Sequence, residues 1–548
     1  MSGPSVADPE EQRPPAAVPG RAPRPARTGP RVRCRATALA VLVPCAVMLV
    51  LGLWGLDRGT LWRDEAATAQ LAGRPLPQLW DLLGNADAVH GLYYALMHGY
   101  GALAEGFSGL SLRDGPVLRL PSVLGATAAA GLVALLGSRL AAPRVGLWAG
   151  LLFATLPTTS HYAQEGRSYA LVTAGATLAT LLLVTAVRRG RARDWAGYAA
   201  VAAVTAVLHE CAVLLLAAHA LTLLVSRVPR TVWWRWAAAA CAAALALLPL
   251  VALSRGQSHQ LSWLYPPGLR AARLLLQSFA GPSVPAVVAV CALVAVAAVR
   301  PLPRRGPLGL SAVALPLALL PPVLLFLASQ RYPAFLDRYL LFCLPGVALA
   351  AAAGAERLVD AVAVRRHRRL PPRLVAVAGA AVVAVAFLGQ LPAQRREREP
   401  ASRPDDLAAV AAAVARRAAP GDGVFYVPTY ARRVGLAHPE RFAGLTDLTL
   451  GVSGAASGTL YGRDAPLREI RARLARTGRV WLVAADGVDR TRWFRHDAAE
   501  SAKWRLLHER CVQRYWLDGP GANVALFVTR PSYAPSRPPI PDSAVSGG

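Results

Sequence analysis

The sequence predicts a polytopic α-helical membrane protein with about 11 transmembrane helices and a small C-terminal α/β domain. Of the 548 residues, 54% are hydrophobic, and many apolar runs approach the roughly 20 residues that a helix needs to cross a bilayer. Short arginine clusters alternate with these runs, as in the loops of a membrane protein. Beyond residue 391 helix-like and strand-like stretches alternate instead, which predicts a separate small domain.

The distribution of the positive charge argues against a nucleic-acid partner. The formal net charge of +28 is carried almost entirely by arginine, and Lys503 is the only lysine. Such a balance is also typical of nucleic-acid-binding proteins, in which the cations gather on one face. Here they lie between apolar runs, so we expect no nucleic-acid partner. The arginine bias indicates a GC-rich genome and hence a bacterial plasma membrane.

Residues 1–35 are rich in Pro, Ala and Arg, which predicts a disordered cytoplasmic arm. The first span is predicted at 36–56. Residues 57–116 are predicted to form a long external loop, with helices at the membrane interface around 71–83 and 91–103. Ten further spans complete the predicted membrane domain (36–391): 117–137, 145–160, 169–187, 195–208, 211–225, 236–253, 284–299, 308–328, 338–355 and 374–391.

The arginine content of the loops predicts how the chain is oriented in the membrane. With the N-terminus in the cytoplasm, alternate loops should be basic, and arginines do cluster near 139–144, 188–193, 227–235, 300–305 and 365–373. The other loops and the segment from 392 onward are then external. Five of the seven cysteines fall inside apolar runs, and no Cys-x-x-Cys pair occurs, so neither a disulfide framework nor a cysteine metal site is expected.

The segment 392–532 is predicted to be an extracytoplasmic α/β domain. Helix-like stretches at 406–417, 466–476 and 502–508 each precede a strand-like stretch, at 424–427, 480–483 and 524–528. Residues 533–548 are rich in Pro and Ser and are predicted to be a disordered tail.

An acidic pair, Asp64-Glu65, follows the first span by only a few residues. A charge so close to hydrocarbon must stay hydrated, pair with a cation or take part in chemistry, because burying it unpaired is costly. Taken alone, the pair is more simply explained as a helix start, with Asp64 capping a helix that begins at Glu65. Further polar side chains in the other external loops favour a functional site.

Five motifs occur in order on the predicted outer side of the membrane. They are Trp62-Arg63-Asp64-Glu65-Ala66, Asp87-Ala88-Val89-His90-Gly91-Leu92-Tyr93-Tyr94, Leu118-Arg119-Leu120-Pro121-Ser122, Tyr162-Ala163-Gln164-Glu165-Gly166-Arg167-Ser168-Tyr169-Ala170 and Asp337-Arg338-Tyr339-Leu340. In these motifs the chain resembles, over roughly 36–390, the integral-membrane glycosyltransferases of the GT-C type. Within these it is similar to the family 39 group, which includes protein O-mannosyltransferases and lipid A aminoarabinose transferases.

Two departures limit what the resemblance implies. His90-Gly91-Leu92 stands where relatives often have a His followed by two prolines. The C-terminal segment does not resemble the extra lumenal domain of eukaryotic protein mannosyltransferases. The identity of the acceptor therefore does not carry over from the family.

The resemblance implies transfer of a sugar, most simply a mannose-like hexose, from a polyprenyl-phosphate donor in the membrane lipid to an external glycan, lipid or protein acceptor. A base must take the proton of the acceptor hydroxyl, and cations must hold the leaving phosphate. Asp64 is predicted to be this base in a single inverting displacement. Glu65 is predicted to position the acceptor or to tune the pKa of Asp64. Adjacent helical residues diverge, so this pair alone does not predict a retaining mechanism.

Two arginines are candidates for the donor phosphate. Arg167 and Arg338 each offer a planar fork of donors that matches a phosphate. The competing explanations are a snorkelling arginine at the end of a span for Arg167, and a structural ion pair with Asp337 for Arg338.

The remaining substrate-binding candidates are Gln164, Glu165, Tyr169, Asp337, His90 and Tyr93. His90 is expected to orient the phosphate or the acceptor. Tyr93 is a candidate to pack on the sugar, although an aromatic belt at the membrane interface explains Tyr93 and Tyr94 more simply. His161 and His209-Glu210 lack the spacing of metal ligands, so no metal and no other cofactor is predicted. A divalent cation held by these residues together with Asp64 or Glu65 is the minor alternative.

Two other functional classes remain. A secondary transporter should carry ionisable groups near span midpoints, whereas most charges here lie at span ends. The only lysine follows Ala502, so the chain has no Gly-Lys-Ser/Thr phosphate loop for ATP-driven transport. A non-catalytic membrane protein that binds a glycolipid is the second alternative.

Overall fold

The computed structural model describes residues 30–261, 263–365, 371–486 and 497–530. The predicted disordered arm and tail fall mostly outside these ranges. However, the first helix begins at Pro30, inside the predicted arm, because Arg31, Arg33 and Arg35 continue the helix that the apolar run propagates.

Sixteen α-helices precede the C-terminal domain in the described residues: α1 (Pro30–Leu53), α2 (Arg63–Ala72), α3 (Leu76–Asn85), α4 (Gly91–Ser108), α5 (Gly115–Leu140), α6 (Pro143–Thr155), α7 (Pro157–Ala163), α8 (Tyr169–Arg189), α9 (Ala192–Leu208), α10 (Leu214–Ser226), α11 (Arg230–Gly256), α12 (Leu269–Ala280), α13 (Val284–Val299), α14 (Leu310–Ala328), α15 (Leu344–Arg365) and α16 (Pro372–Arg396). The loop 57–116 thus contains α2, α3 and α4, and α16 extends five residues past the predicted boundary at 391.

The predicted count of about 11 spans is not confirmed. In the described residues seven helices are long and apolar enough to cross a membrane, or eight if α12 and α13, which meet at an 82° bend, form one span. Three predicted spans form α6, α9 and α10, of 13, 17 and 13 residues. A helix of 13 residues is about 20 Å long, less than the roughly 30 Å of a hydrocarbon core.

Hydrogen bonds join four of the arginine-rich loops at one end of the helical bundle. Arg144 pairs with Glu356, Arg357 donates to the Arg300 carbonyl, Arg304 to the Ser226 carbonyl and Arg235 to the Gly190 carbonyl. The fifth, near 365–373, falls mostly outside the described residues. The loops that carry Asp64, Arg167, His209 and Arg338 lie at the other end. Helix α16 exposes Val377, Val382, Val385 and Leu388 along its length, an apolar surface of the kind that lipid covers. The chain is a multi-pass membrane protein.

The C-terminal domain has an α/β fold, as predicted. Its elements are α17 (Leu407–Ala415), β1 (Gly423–Val427), α18 (Arg433–Ala437), β2 (Thr446–Asp447), β3 (Leu450–Val452), α19 (Gly454–Ser457), β4 (Arg463–Asp464), α20 (Leu467–Ala475), β5 (Arg479–Ala484), α21 (Ala498–Arg510), β6 (Cys511–Leu517) and β7 (Asn523–Thr529). Five strands form one sheet in the order β2-β1-β5-β7-β6. Strand β1 is parallel to β2 and β5, whereas β7 is antiparallel to β5 and β6.

The only lysine of the chain lies in a buried charge network beside β1. The Lys503 ammonium is 2.7 Å from Glu500 Oε2 and also contacts Asp464, whose other oxygen accepts a 2.7 Å bond from Arg432. Burial opposes ionisation of Asp464, but Lys503 and the hydrogen bonds around it hold its pKa below the ordinary value. The network joins α21, β4 and the turn after β1.

We expect the stability that Asp464 contributes to depend on pH. Because its folded pKa lies below the unfolded value of about 3.9, the contribution is fully present above that pH and is lost as the pH falls through the folded pKa. The melting temperature of Asp464→Asn should therefore be lower than that of the wild type at pH 7, and the difference should shrink as the pH falls below about 4. The exposed Glu509→Gln is the matched control. A wild-type-to-variant difference that does not vary with pH would contradict the assignment.

Candidate active site

Glu65 anchors the start of α2 to the membrane domain. Its carboxylate accepts 2.8 Å and 2.7 Å hydrogen bonds from Arg119 at the first turns of α5, and a 2.9 Å bond from the backbone N–H of Gly166. Burial opposes its ionisation, yet Arg119 holds the pKa of Glu65 below its ordinary value. The side chain is fully buried with both oxygens engaged, so it has no atom available to an acceptor. In this geometry it positions α2, and the predicted contact with an acceptor is not supported.

Asp64 points to a different side of the same helical turn. Its side chain is 25% exposed, and among the described residues no hydrogen bond to its carboxylate is found. The nearest cations are Arg338, with Nη2 3.9 Å from Oδ2, and Arg63, with Nε 4.0 Å from Oδ1. Asp64 is thus an accessible carboxylate with two arginine side chains within 4.0 Å.

Arg167 lies on the loop before α8, and its guanidinium contacts the backbone of Asp64. Its Nη1 donates to Tyr94 Oη at 3.1 Å, to Thr68 Oγ1 at 3.3 Å and to the Asp64 carbonyl oxygen at 3.5 Å. The residue is buried, and its Nε has no hydrogen-bond partner in the described part of the chain. It is therefore not a snorkelling arginine that extends to water.

Arg338 approaches Asp64 from the 3₁₀ turn that precedes α15. Its guanidinium lies 5.9 Å from the Trp62 ring centre and 5.8 Å from that of Tyr339, and its buried Nε is likewise unpaired within the described ranges. Asp337 does not pair with the guanidinium but accepts a 2.8 Å bond from the Arg338 backbone N–H. Two arginines with unsatisfied donors thus meet at Asp64, Arg338 near its carboxylate and Arg167 at its backbone carbonyl, which is an arrangement suited to an anion.

Two neutral imidazoles lie beside the arginines. Burial, helped by Arg167, lowers the pKa of His90 well below its ordinary value, and burial lowers the pKa of His209 to about 3. Their rings are 5.9 Å apart, and His90 Nδ1 has no partner among the described residues. Both side chains are therefore hydrogen-bonding groups rather than cations, and His90 has one nitrogen free for a ligand.

Asp87 adds a second carboxylate to this region. It has a left-handed backbone, with φ at +57°, and it accepts a short hydrogen bond from Tyr94 Oη. Burial raises the pKa of Asp87, while Arg167 and Tyr94 oppose the shift. Through Tyr94, Asp87 is linked to Arg167, so these three side chains form one chain of hydrogen bonds.

Of the other predicted residues, Gln164 and Glu165 connect structural elements. Gln164 Nε2 donates 2.9 Å bonds to the carbonyls of Gly52 and Trp54, which fixes the end of α1. Glu165 Oε2 lies 3.4 Å from Arg403 Nη1, and burial raises the pKa of this carboxylate. The contact joins the loop of Arg167 to the segment that enters the C-terminal domain.

Tyr93, Tyr94 and Tyr169 are all buried, so they form neither an aromatic belt at the membrane surface nor an exposed platform for a sugar. The Tyr169 ring lies 5.7 Å from that of His209. These buried rings pack around the polar side chains of the site. Within the described residues no group of three His, Cys, Asp or Glu side chains is arranged to hold a metal ion.

Sequence reasoning missed the roles of Arg119 and Asp405. Arg119 lies in a motif that we did single out, and a charge in the first turns of an apolar span should have indicated a buried partner. Asp405 accepts a hydrogen bond from the first residue of α2, yet it is 342 residues away along the chain, and no local pattern indicates the contact.

Comparisons with known proteins agree with this fold. A family model described as dolichyl-phosphate-mannose-protein mannosyltransferase matches residues 94–254, less than a third of the chain. ArnT from Cupriavidus metallidurans, crystallised with undecaprenyl phosphate, is similar in structure with a TM-score of 0.55 at 13% identity, covering 89% of this chain and 97% of that one. The Archaeoglobus fulgidus oligosaccharyltransferase, tethered with an acceptor peptide, gives a TM-score of 0.51 at 11% identity, with 89% and 74% covered.

No curated protein matches the chain in a sequence search. The predicted GT-C architecture is nevertheless confirmed, because the likeness to ArnT extends over nearly all of both chains. This chain is a multi-pass membrane protein with the fold of the GT-C glycosyltransferases, and its residues 94–254 match the dolichyl-phosphate-mannose-protein mannosyltransferase family.

Proposed function

We propose that this chain is a glycosyltransferase that moves a sugar from a polyprenyl-phosphate donor to a hydroxyl of an external acceptor. The observation that carries the proposal is the convergence of two arginines, each with an unpaired buried Nε, on Asp64. Arg338 Nη2 lies 3.9 Å from the accessible carboxylate, and Arg167 Nη1 lies 3.5 Å from the backbone carbonyl oxygen of the same residue. The complex of ArnT with undecaprenyl phosphate supports this class of donor. By the family match, a mannose-like hexose is the first sugar to test.

The proposed reaction is a single displacement with inversion. Asp64 takes the proton of the acceptor hydroxyl, whose oxygen attacks the anomeric carbon as the bond from that carbon to the phosphate oxygen breaks. The two arginines hold the departing polyprenyl phosphate while negative charge grows on it. Because guanidinium groups supply that charge, we propose a reaction without a metal ion, and we expect EDTA to leave the rate unchanged.

We further propose that the site opens outside the cytoplasm. Four of the five arginine-rich loops are joined by hydrogen bonds at the opposite end of the bundle, and cytoplasmic loops carry such an excess of positive charge. The C-terminal domain would then be external, as is the acceptor. Labelling of single cysteines at the loop position Arg189 and at the C-terminal position Asp486 with an impermeant maleimide in intact cells tests this, and label at position 189 alone would contradict it.

A transfer assay tests the proposal. Purified protein in lipid nanodiscs is incubated with synthetic polyprenyl-phosphate sugars that carry a radiolabel in the sugar, mannose first, and with membranes as the acceptor source. We expect the labelled sugar to be transferred to the acceptor with inversion at the anomeric carbon. Binding of the donor without any transfer, for a panel of sugars and acceptors, would favour a non-catalytic glycolipid-binding protein.

Arg167 provides a separate test of the phosphate site. Arg167→Leu removes a buried cation at the leaving group, and we expect transfer to fall by about 10²–10³-fold. Arg331→Leu is the matched control because Arg331 lies near the same end of the bundle but is exposed. A normal rate for Arg167→Leu in a folded protein would remove Arg167 from the proposed site.

A further inference from the structure

The helix that carries Asp64 has no cap from its own neighbourhood. Helix α2 begins at Arg63, and the preceding Trp62 makes no side-chain cap. The free N–H of Arg63 instead donates to Asp405 Oδ1 at 2.8 Å, and the Arg63 side chain lies 3.6 Å from the other Asp405 oxygen. The Asp405 side chain is 1% exposed. The first turn of α2 is therefore closed by a carboxylate from the other end of the chain.

Asp406, the residue after Asp405, makes a further contact between the C-terminal domain and the segment before α2. Asp406 Oδ1 accepts from Thr60 Oγ1 at 2.8 Å and from the backbone N–H of Ala409 at 2.9 Å. The second bond caps α17, the first helix of the C-terminal domain. Adjacent aspartates thus cap two helices, one in each domain, and fix their starts to each other.

The C-terminal domain also holds the remainder of α2. Ala66 packs in a buried cluster with Leu407, Val410 and Val434 of that domain. Just beyond the helix, Arg74 donates hydrogen bonds of 3.2–3.4 Å to carbonyl oxygens of the 454–460 segment. Glu65, on another face, pairs with Arg119 of the membrane domain. Helix α2 is therefore held between the two domains.

We propose that Asp405 is a positioning residue that holds the proposed base Asp64, so that the C-terminal domain completes the active site in addition to any role in binding the acceptor. Asp64 is the second residue of α2, and the direction of its side chain is set by the turn that Asp405 closes. A displacement of a reacting group by about 1 Å can lower a rate by roughly 10²-fold. This proposal rests on the proposed transferase activity.

Steady-state kinetics test it with Asp405→Ala. We expect kcat to fall by about 10–100-fold while KM for the donor stays within about threefold, because the arginines that hold the phosphate are unchanged. Asp405→Asn keeps an oxygen that accepts the Arg63 N–H, so it should recover most of the rate. The matched control is Asp497→Ala, which removes an equivalent cap from α21, away from the site. It should lower the melting temperature comparably and leave kcat unchanged.

Amide hydrogen exchange gives a second readout that does not depend on activity. Asp405→Ala should accelerate exchange in residues 63–68 by about tenfold or more, and Asp497→Ala should not. The proposal is overturned if exchange in α2 or kcat is unaffected by Asp405→Ala, or if Asp497→Ala lowers kcat equally. If the wild type transfers no sugar, the proposed function fails, and exchange alone decides whether Asp405 fixes the position of α2.

Discussion

Replacing Asp64 by Asn is expected to lower the rate of sugar transfer by about 10²–10⁴-fold, the range typical of removing a general base. The amide has nearly the same shape but cannot accept the proton of the acceptor hydroxyl. The carboxylate makes no hydrogen bond with described residues, so the fold should not depend on it. We therefore expect normal expression and melting temperature, and donor binding close to that of the wild type.

The control for this variant is Asp57→Asn. Asp57 is an exposed aspartate seven residues earlier, in the loop between α1 and α2, and its replacement removes the same charge at a position without a proposed role. Its rate should equal that of the wild type. If Asp64→Asn retained full activity, the base would have to be another group, and Asp87, which is linked to Arg167 through Tyr94, would be the next candidate.

Replacing Glu65 by Gln is expected to destabilise the whole protein, by about 3–5 kcal/mol, because the change leaves the buried guanidinium of Arg119 without its counter-charge. The pair makes two hydrogen bonds inside the protein, and neither side chain has appreciable exposure. The melting temperature in detergent should fall sharply, and most of the protein should be lost on expression at 37 °C.

A double variant distinguishes a role of the Glu65–Arg119 ion pair in stability from a role of Glu65 in catalysis. Glu65→Leu combined with Arg119→Met removes both charges, and an apolar replacement of a buried pair often restores stability. Glu105→Gln, at an exposed position of α4, is the control for the single change. Our assignment would be wrong if Glu65→Gln folded normally and raised only the KM for the acceptor, because that result would place Glu65 against the acceptor.

The helical architecture was predictable because long apolar runs have few alternatives to a membrane span. The number of spans was not, since the runs near 145–160 and 211–225 form helices of only 13 residues. In the C-terminal domain the predicted helix-strand alternation agrees with α17, α20, α21, β1, β5 and β7. Strand β6 was missed: it is an edge strand with a bulge in its pairing to β7, and it directly follows a helix.

The candidate site was partly predictable. Motif order indicated that Asp64, Arg167 and Arg338 lie together, and the structure places them in contact range. Composition could not separate an accessible acid from a buried one. Asp64 and Glu65 are neighbours in the sequence, yet Asp64 lies near Arg338 and Glu65 is buried against Arg119. Contacts such as that of Asp405 with α2 depend on how the two domains dock, which no short motif encodes.

The central claim is that Asp64 and the two arginines form the donor site, and a cryo-electron microscopy map of the protein in nanodiscs with a bound polyprenyl phosphate tests it most directly. We predict density for the phosphate between the guanidinium groups of Arg167 and Arg338, beside Asp64. A cavity of about 440 Å³, lined mainly by apolar side chains of α10 and α14 with Arg304, lies at the opposite end of the bundle. A headgroup found there, with no phosphate at the arginine pair, would contradict the account.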